Sequence, residues 1–436
     1  MHPDEIHQYL EPAHRLAFGY GTRTHEWYRG MRNLVAPWCL AKVYALAAAL
    51  RCDTAEGLWW ATRLPGVLAS LATVGLLALR LGRRHALQGW LFVALIATQW
   101  AWLDLGARPM GENFSVAFIA YALYLAGRPL APRVAAWAGF CLGAAVWFRY
   151  PAVIFACAVA AAVLGRAPWR VGAALVAGAA LSAATLGYID QRTWGHWFHS
   201  LIAYFEYNFI QDNARKVFGA RPWYFYLAWW ASLGPGCFAL WLLRWRAYWV
   251  RPDLTLWVAG VYLAALSLTA HKEPRFFLSA VPLLSAGLAS AVSGVSPRAW
   301  RAPLLLSCAV SALALGWYRR HDYQQRDLQR AMFALSRGPH IDAVFVLNRG
   351  HPGLSSLHRP ARIEAPPSER LVEGVARFER VRAERAGQTP GGFGRIVALC
   401  DEGGDAPAGC HAFVRSRGFH ETTRVGRVTL YEGVLQ

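Results

Sequence analysis

The apolar residues of this chain are not spread evenly but come in blocks of about 15–22, and many of these can cross a bilayer core of roughly 30 Å. The clearest run near 58–80, 86–104, 113–127, 133–149, 151–165, 168–188, 223–243, 254–270, 274–293 and 302–318. One soluble globule has no use for so many of them. The stretch 32–50 is apolar but short and carries Lys42 in its middle. It reads equally as a span, a membrane-surface helix or a re-entrant segment. The blocks predict an all-α polytopic membrane protein with about 10–11 transmembrane helices.

From about Tyr323 the pattern becomes that of a soluble fold. Short apolar strands at 343–347, 395–399 and 427–432 alternate with a charged helical stretch over 368–386. This predicts a small C-terminal α/β domain. The expected organisation is residues 1–57 as an N-terminal polar and interfacial region, 58–320 as the membrane core, and 321–436 as the soluble domain.

Composition supports the membrane assignment. Of the 436 residues 56% are hydrophobic and only 16% charged, against roughly 25% charged in soluble domains. The 45 Lys and Arg outnumber the 26 Asp and Glu, for a net charge of +19. On a soluble protein that excess points to nucleic acid. Here most of it lies in short loops, and no basic stripe with interleaved aromatics stands outside the apolar blocks, so no nucleic-acid partner is expected.

Arg80, Arg83 and Arg84, then Arg128 and Arg133, Arg166 and Arg170, Arg244, Arg246 and Arg251, and Arg298 and Arg301 fall in every second loop. The positive-inside rule assigns those loops to the cytoplasm, provided that 32–50 does not cross fully. The N-terminal stretch, 105–112, the turn at Arg149, 189–222, 271–275 and the tail after Trp317 are then extracytoplasmic. Segment 189–222 has aromatic residues at helical spacing with polar ones between, the pattern of an amphipathic helix in the interface. Its Trp and Tyr serve equally well as interfacial anchors.

The 8 Cys form no CxxC pair and no zinc spacing. Cys141, Cys157, Cys237 and Cys308 lie inside apolar blocks as small core residues. Cys400 and Cys410 flank a flexible DEGGDAPAG loop. They read either as a loop-closing disulfide in an oxidising compartment or as two unrelated thiols.

Three outward-facing groups are candidates for chemistry. The first is the carboxylate and histidine cluster of His2, Asp4, Glu5, His7, Glu11 and His14. A partly buried Asp or Glu suits a base that takes a proton from an attacking hydroxyl, although the same residues also suit a solvated terminus or a helix cap. The second is HKEPRFF at 271–277, where His271, Lys272 and Arg275 place three basic groups within five residues. They form a receptor for a phosphate at membrane depth or anchors that snorkel to headgroups. The third comprises Arg108, Glu112 and Asn113 with Arg149 and Tyr150, ionisable or polar groups placed against spans. Glu112 with Arg108 is a candidate structural pair. No Walker loop, dinucleotide fingerprint or DxD cluster is present. With a lipid-phosphate donor, cationic side chains take the place of a metal on the leaving group.

Together these pieces resemble the family 22 glycosyltransferases, polyprenyl-phosphate-sugar-dependent mannosyltransferases of N-glycan and glycosylphosphatidylinositol-anchor assembly with bacterial relatives. The stretch HPDEIHQYLEPAHRLAFGYGTRTHEWYRGMRN is similar to the family's first luminal loop, and HKEPRFFLSAVP to its HKE-x-RF signature. DQRTWGHWFHSLIAYFEYNFIQDNARKVFGARPWYFYL matches a D-R-x-x-[YW]-G opening, an Asn near a helix end and a W-Y-x-Y run. GARPMGENFS sits loosely where relatives have R-x-x-S-N.

The resemblance implies the GT-C membrane architecture and an inverting transfer that requires no metal or other cofactor. Asp4, with Glu5 beside it, takes the catalytic acidic position, and His271, Lys272 and Arg275 contact the donor phosphate. Glu11, His14, Trp27 and Asn208 shape the substrate pocket, with Arg108 in the loosely matched segment. The implied partners are a polyprenyl-phosphate-linked sugar, a glycan or glycolipid acceptor and the bilayer, and the implied location is a bacterial inner membrane with the site facing out. Family members carry a transmembrane helix ahead of the acidic motif, whereas here Met1 leads straight into it. The expectation is that the natural start lies upstream. A transporter or flippase of lipid-linked saccharides would share the hydropathy, but it would be marked by Gly/Pro-broken spans in corresponding halves. A non-catalytic scaffold would have no need of HPDE and HKEPR on one face.

Overall fold

The computed structural model describes residues 4–127, 130–250, 253–292, 297–320, 326–350, 352–358, 361–365, 370–386 and 395–433. His2, Arg128, Arg251 and Tyr323 lie outside them, and so do the side chains of Arg244, Arg246 and Arg298. The apolar blocks are helices. Among the described residues four are long and apolar enough to cross a membrane: Ala55–Gly82, Trp169–Trp194, Pro274–Ala291 and Trp300–Trp317. Shorter apolar helices include Val35–Ala49, Ala86–Ala97, Pro132–Phe148, Ala152–Leu164 and Leu254–Ser267. The 28 residues of Ala55–Gly82 reach about 42 Å at 1.5 Å per residue.

Burial shows what surrounds these helices. Only 11% of the apolar window Trp300–Trp317 and 28% of that in Ala55–Gly82 are buried within the protein, against 78% for Pro274–Ala291. Leu64, Leu68, Leu71 and Leu79 on one helix and Leu305 and Leu313 on another are exposed. An apolar surface of that extent is stable only against lipid.

Three blocks read as continuous are broken, that near 274–293 at Ser279–Ala280 between Pro274–Leu278 and Val281–Val292, and two others at points that face each other. The one near 86–104 divides at Thr98 and Gln99 into Ala86–Ala97 and Trp100–Leu105. The one near 223–243 divides at Gly234 into Phe225–Leu233 and Pro235–Val250. These last two breaks meet, since a Cβ on Gly234 would lie 2.7 Å from Gln99 Oε1. Gln99 Nε2 in turn donates to Cys237 Sγ over 3.1 Å.

Without a hydrophobic drive between helices in lipid, association rests on close packing of small residues. Pro132–Phe148 carries Gly139 and Gly143 one turn apart, and Trp169–Trp194 carries Gly178 and Ser182. A Cβ on Gly139 would overlap the Leu175 carbonyl oxygen, and one on Gly178 the Ala136 carbonyl oxygen. Trp147 Nε1 closes the contact by donating to Ser182 O over 3.1 Å. Charge pins another junction: Arg80 and Arg84 reach the Asp253 carboxylate at 3.3 and 3.0 Å, and Asp253 caps the next helix through Thr255 N at 2.9 Å.

The chain forms two compact units, one of residues 1–25, 37–61 and 318–436, the other of 26–36 and 62–317. The first therefore joins the N-terminal polar stretch to the tail. The tail is a five-stranded mixed sheet of β1 (Ala343–Val346), β2 (Arg362–Glu364), β3 (Ile396–Asp401), β4 (His420–Val425) and β5 (Val428–Gly433). The strand order is β2-β1-β3-β5-β4, with β1 parallel to β2 and β3, and β5 antiparallel to β3 and β4. Side chains alternate between two faces. Val344, Val346, Val397 and Leu399 pack with Leu328, Met332 and Leu335 of helix Arg326–Arg337. Ala343, Phe345, Ile396 and Ala398 pack with Phe378 and Val414 of helices Leu371–Ala386 and Pro407–Ser416. Cys400 and Cys410 are disulfide-bonded, tying β3 to the last of these helices.

Replacing Gly139 or Gly178 by Leu forces this helix pair apart and is expected to cost about 2–3 kcal/mol or more. Gly75→Ala, where a Cβ meets nothing within 4 Å, is expected to be neutral or stabilising. Thermal unfolding of the detergent-solubilised protein checks both, and equal loss in the two cases would show that close approach is not what the glycines provide.

Candidate functional site

Each compact unit carries part of the predicted site. His271, Lys272, Arg275, Arg108, Trp27 and Asn208 belong to the membrane unit, and Asp4, Glu5, Glu11 and His14 to the unit that contains the tail.

In the membrane unit the HKEPRF loop leads into helix Pro274–Leu278. Pro274 takes the first helical position, where a missing N–H costs nothing, and Glu273 sits at the N-cap. Glu273 is the hub of the loop, with one carboxylate oxygen 2.8 Å from His271 Nε2 and the other accepting from Arg275 Nε. Burial alone would raise its pKa, but the Arg275 guanidinium and the His271 contact more than offset this and hold the carboxyl well below the usual range. Lys272 is different. It is 4% exposed, and its ammonium donates to two carbonyl oxygens, those of Thr269 and, over 3.1 Å, Arg221. Burial pushes its pKa down. Carbonyls satisfy N–H groups without neutralising the charge, so Lys272 keeps the strongest need for an anion in the loop.

A second charged layer joins this one through Phe276. Arg149, between helices Pro132–Phe148 and Ala152–Leu164, lies with its guanidinium carbon 4.7 Å from the Phe276 ring centre, and that of Arg275 is 5.2 Å away. Arg149 pairs with Glu112 at 3.3 Å, both side chains 3% exposed. Sequence reasoning set Glu112 against Arg108. Arg108 pairs instead with Asp104, one turn back, at 3.0 Å. Nearby Asn113 donates to Gly66 O over 2.8 Å and accepts from Ser70 Oγ at 3.0 Å, which ties the GARPMGENF turn to helix Ala55–Gly82.

The opening of the D-R-x-x-W-G motif is structural. Asp190, buried, accepts from Ser200 N at 2.9 Å and Ser200 Oγ at 2.6 Å, and Tyr150 O–H donates to the same Ser200 Oγ. Asn33 Nδ2 donates to Tyr150 over 3.2 Å and to Trp147 O over 2.8 Å. Trp27 is buried and stacks on Trp194 with ring centres 6.1 Å apart. Asn208 is half-buried in a short π-helical stretch, where its amide donates to Tyr204 O over 2.8 Å. The sequence signal for the Asn33–Tyr150–Ser200–Asp190 chain was weak, because its members are single polar residues far apart in the chain.

In the other unit Asp4 opens a helical run, Glu5–Leu10 in π geometry followed by Glu11–Phe18. Pro12 explains the widened first turns. It has no N–H to return to Gln8, and Glu11 N–H bonds to Ile6 O, five residues back. Asp4 Oδ1 accepts from Gln8 Nε2 at 2.8 Å. Glu5, Glu11 and His14 are fully buried. Glu11 accepts from two backbone N–H groups, Thr22 at 2.9 Å and Ser355 at 2.6 Å. His14 Nδ1 lies 3.0 Å from the Tyr20 carbonyl, which can only accept, so the proton is on Nδ1 and Nε2 accepts from His358 Nδ1 at 2.8 Å.

Comparison with known proteins sets the class first. Over 99% of its length the fold is similar to ArnT from Cupriavidus metallidurans, solved bound to undecaprenyl phosphate, with TM-score 0.67 at 13% identity and 93% of that chain covered. That likeness sets the fold, the GT-C membrane architecture. Within that class, residues 1–338 match the Alg9-like mannosyltransferase family, and the chain belongs to it. It is 32% identical over 376 residues to GPI mannosyltransferase 3 of Yarrowia lipolytica, covering 82% of this chain and 71% of that one. It is 27% identical over 391 residues to GPI alpha-1,2-mannosyltransferase 3 of Danio rerio, covering 84% and 70%. The family likeness read from the HPDE and HKEPRF stretches is borne out.

The histidine pair is expected to make the tail-containing unit acid-sensitive. Burial lowers the pKa of His14, against an opposing pull from Glu11. Burial and then the neighbouring His14 push His358 down to about 4, against a pull from Asp53. In the unfolded chain both titrate near 6.5, so as pH falls below that value unfolded chains bind protons that the folded pair refuses. The contribution of the pair is complete above about pH 6.5 and is lost toward pH 4. A fall of several degrees in the unfolding midpoint of this unit is expected from pH 7 to 5. His358→Asn should flatten it, since Asn keeps a donor and tolerates the positive φ of 49° found here. Protease resistance of the tail against pH and temperature measures it, and an unchanged slope in His358→Asn would assign the acid sensitivity elsewhere.

Proposed function

We propose that this mannosyltransferase moves a mannosyl residue from a polyprenyl-phosphate-linked donor to a hydroxyl of a glycan or glycolipid acceptor, with inversion, to form an α-mannoside. The observation that carries the reading is Lys272, a buried ammonium held by carbonyl oxygens in a loop that also presents Arg275 and His271. Family membership supplies the sugar. The relatives named as GPI alpha-1,2-mannosyltransferases and the undecaprenyl phosphate bound by ArnT support a lipid-phosphate donor and a glycolipid-like acceptor.

In this mechanism the acceptor oxygen attacks the anomeric carbon of a β-linked mannosyl phosphate. The bond from that carbon to the phosphate oxygen breaks, and polyprenyl phosphate leaves with the electron pair. Asp4, with Glu5 beside it, takes the proton of the acceptor hydroxyl. Lys272, Arg275 and His271 stabilise the phosphate as its charge grows, so a metal is not required. Trp27, Arg108 and Asn208 shape the substrate pocket, together with Glu11 and His14. The alternating Arg-rich loops support a chain with about 10–11 crossings in a bacterial inner membrane, its reacting loops and tail on the extracytoplasmic side.

Membranes supplied with polyprenyl-phosphate-mannose and candidate acceptors, with and without chelator, test the reaction. Incorporation that needs a nucleotide sugar directly, or vanishes with chelator, would place the chain in another mechanistic class. Asp4→Asn is expected to lower turnover by about 10²-fold or more while insertion into the membrane is retained. Lys272→Met is expected to lower kcat/KM for the donor by about 10²-fold. It is the cleaner probe, because Arg275→Ala also strips Glu273 of its guanidinium. Donor use at the wild-type level in Lys272→Met would remove the phosphate assignment.

A further inference from the structure

The family match ends at residue 338, and the sheet begins just beyond it, at Ala343. The contacts of the tail with the N-terminal stretch give it a task. Its loop 352–358 is anchored to helix Arg326–Arg337, where Gln329 Nε2 donates to Pro352 O over 2.9 Å and Ser356 Oγ donates to Gln329 Oε1 and, over 3.1 Å, to Pro352 O. That helix is fixed in turn to the sheet by Leu328, Ala331, Met332 and Leu335. From this base the loop grips the acidic stretch at three points. Ser355 N–H meets the Glu11 carboxylate at 2.6 Å, His358 meets His14 at 2.8 Å, and Gly353 lies so close that a Cβ there would be 2.7 Å from both Glu11 Oε1 and Ile6 Cγ2. About one turn up the same helical run from Glu11, Gln8, 2% exposed, holds Asp4 at 2.8 Å.

We propose that the tail is a positioning element of the transferase. Through Ser355, His358 and Gly353 it clamps Glu11, His14 and Ile6, and so fixes the helical run that presents Asp4. The proposal rests on the reading of Asp4 as the base. A helical run of this length, interrupted by Pro12, has little helical stability of its own, and tertiary packing has to supply it. A base displaced by about 1 Å costs up to about 10²-fold in rate. The residues that make the clamp act on Asp4 and do not touch the substrate.

The test uses the full-length protein and tail-side changes only. Gly353→Val pushes the loop from the helix and is expected to lower kcat between about 10- and 100-fold, with the donor KM within about twofold of wild type. His358→Gly, which keeps the left-handed backbone and removes only the ring, is expected to lower kcat severalfold by the same route, and it carries the test if Gly353→Val does not fold. Arg395→Gln breaks the pair with Glu432 at the sheet and serves as the control, lowering the protease resistance of the tail with kcat unchanged. Wild-type kcat in Gly353→Val or His358→Gly with the loop displaced would overturn the clamp. So would activity lost in all three variants only in proportion to folded protein. Asp4→Asn run in parallel separates the two readings. If it is inactive while the tail variants are normal, the clamp alone fails, and if it is active, the assignment of the base fails.

Discussion

An ionised side chain taken out of water costs several kcal/mol unless another charge or a set of dipoles meets it, and this constraint arranges the molecule. In the membrane unit the buried charges come in pairs: Arg80 with Asp253 and Arg149 with Glu112 join distant helices, and Arg275 with Glu273 closes its own loop. Each of the first two pairs fixes where two segments meet, because neither partner can leave the other behind. Lys272 stands apart, with carbonyl dipoles in place of a carboxylate. Its charge is tolerated but not cancelled, which is what the proposed phosphate contact calls for.

The same constraint acts on the acidic stretch. Glu11 is fully buried and is made tolerable by two backbone N–H groups, one from its own loop and one from the tail. Its burial therefore depends on a segment more than three hundred residues away along the chain. A sequence motif read as catalytic can thus contain residues whose burial also holds the motif in place, as the backbone partners of Glu11 do.

Much of the fold was legible because lipid imposes a simple code. Long apolar blocks became helices, and the breaks at Gln99 and Gly234 escaped notice because one or two polar or small residues leave an apolar block still readable as one span. In the tail, β1, β3 and β5 were visible as apolar strands. β2, at three residues, was too short to register, and β4, HETTRV, is an exposed edge strand with no apolar face to betray it. For the site, the short motifs were legible and their pairing was not. Glu112 lies four residues from Arg108 and thirty-seven from Arg149, and proximity in sequence suggested the first although the fold chose the second. Opposite charges on different helices meet through packing angles that no local pattern encodes.

The glycine contact between Pro132–Phe148 and Trp169–Trp194 has a mechanical consequence. Each helix places a carbonyl oxygen where the other would carry a Cβ, so neither can turn about its axis or slide along its neighbour without first lifting away. The two act as a single strut. Flexing within this unit is left to the helices interrupted at Thr98–Gln99, at Gly234 and at Ser279–Ala280, which can hinge while the strut keeps its shape.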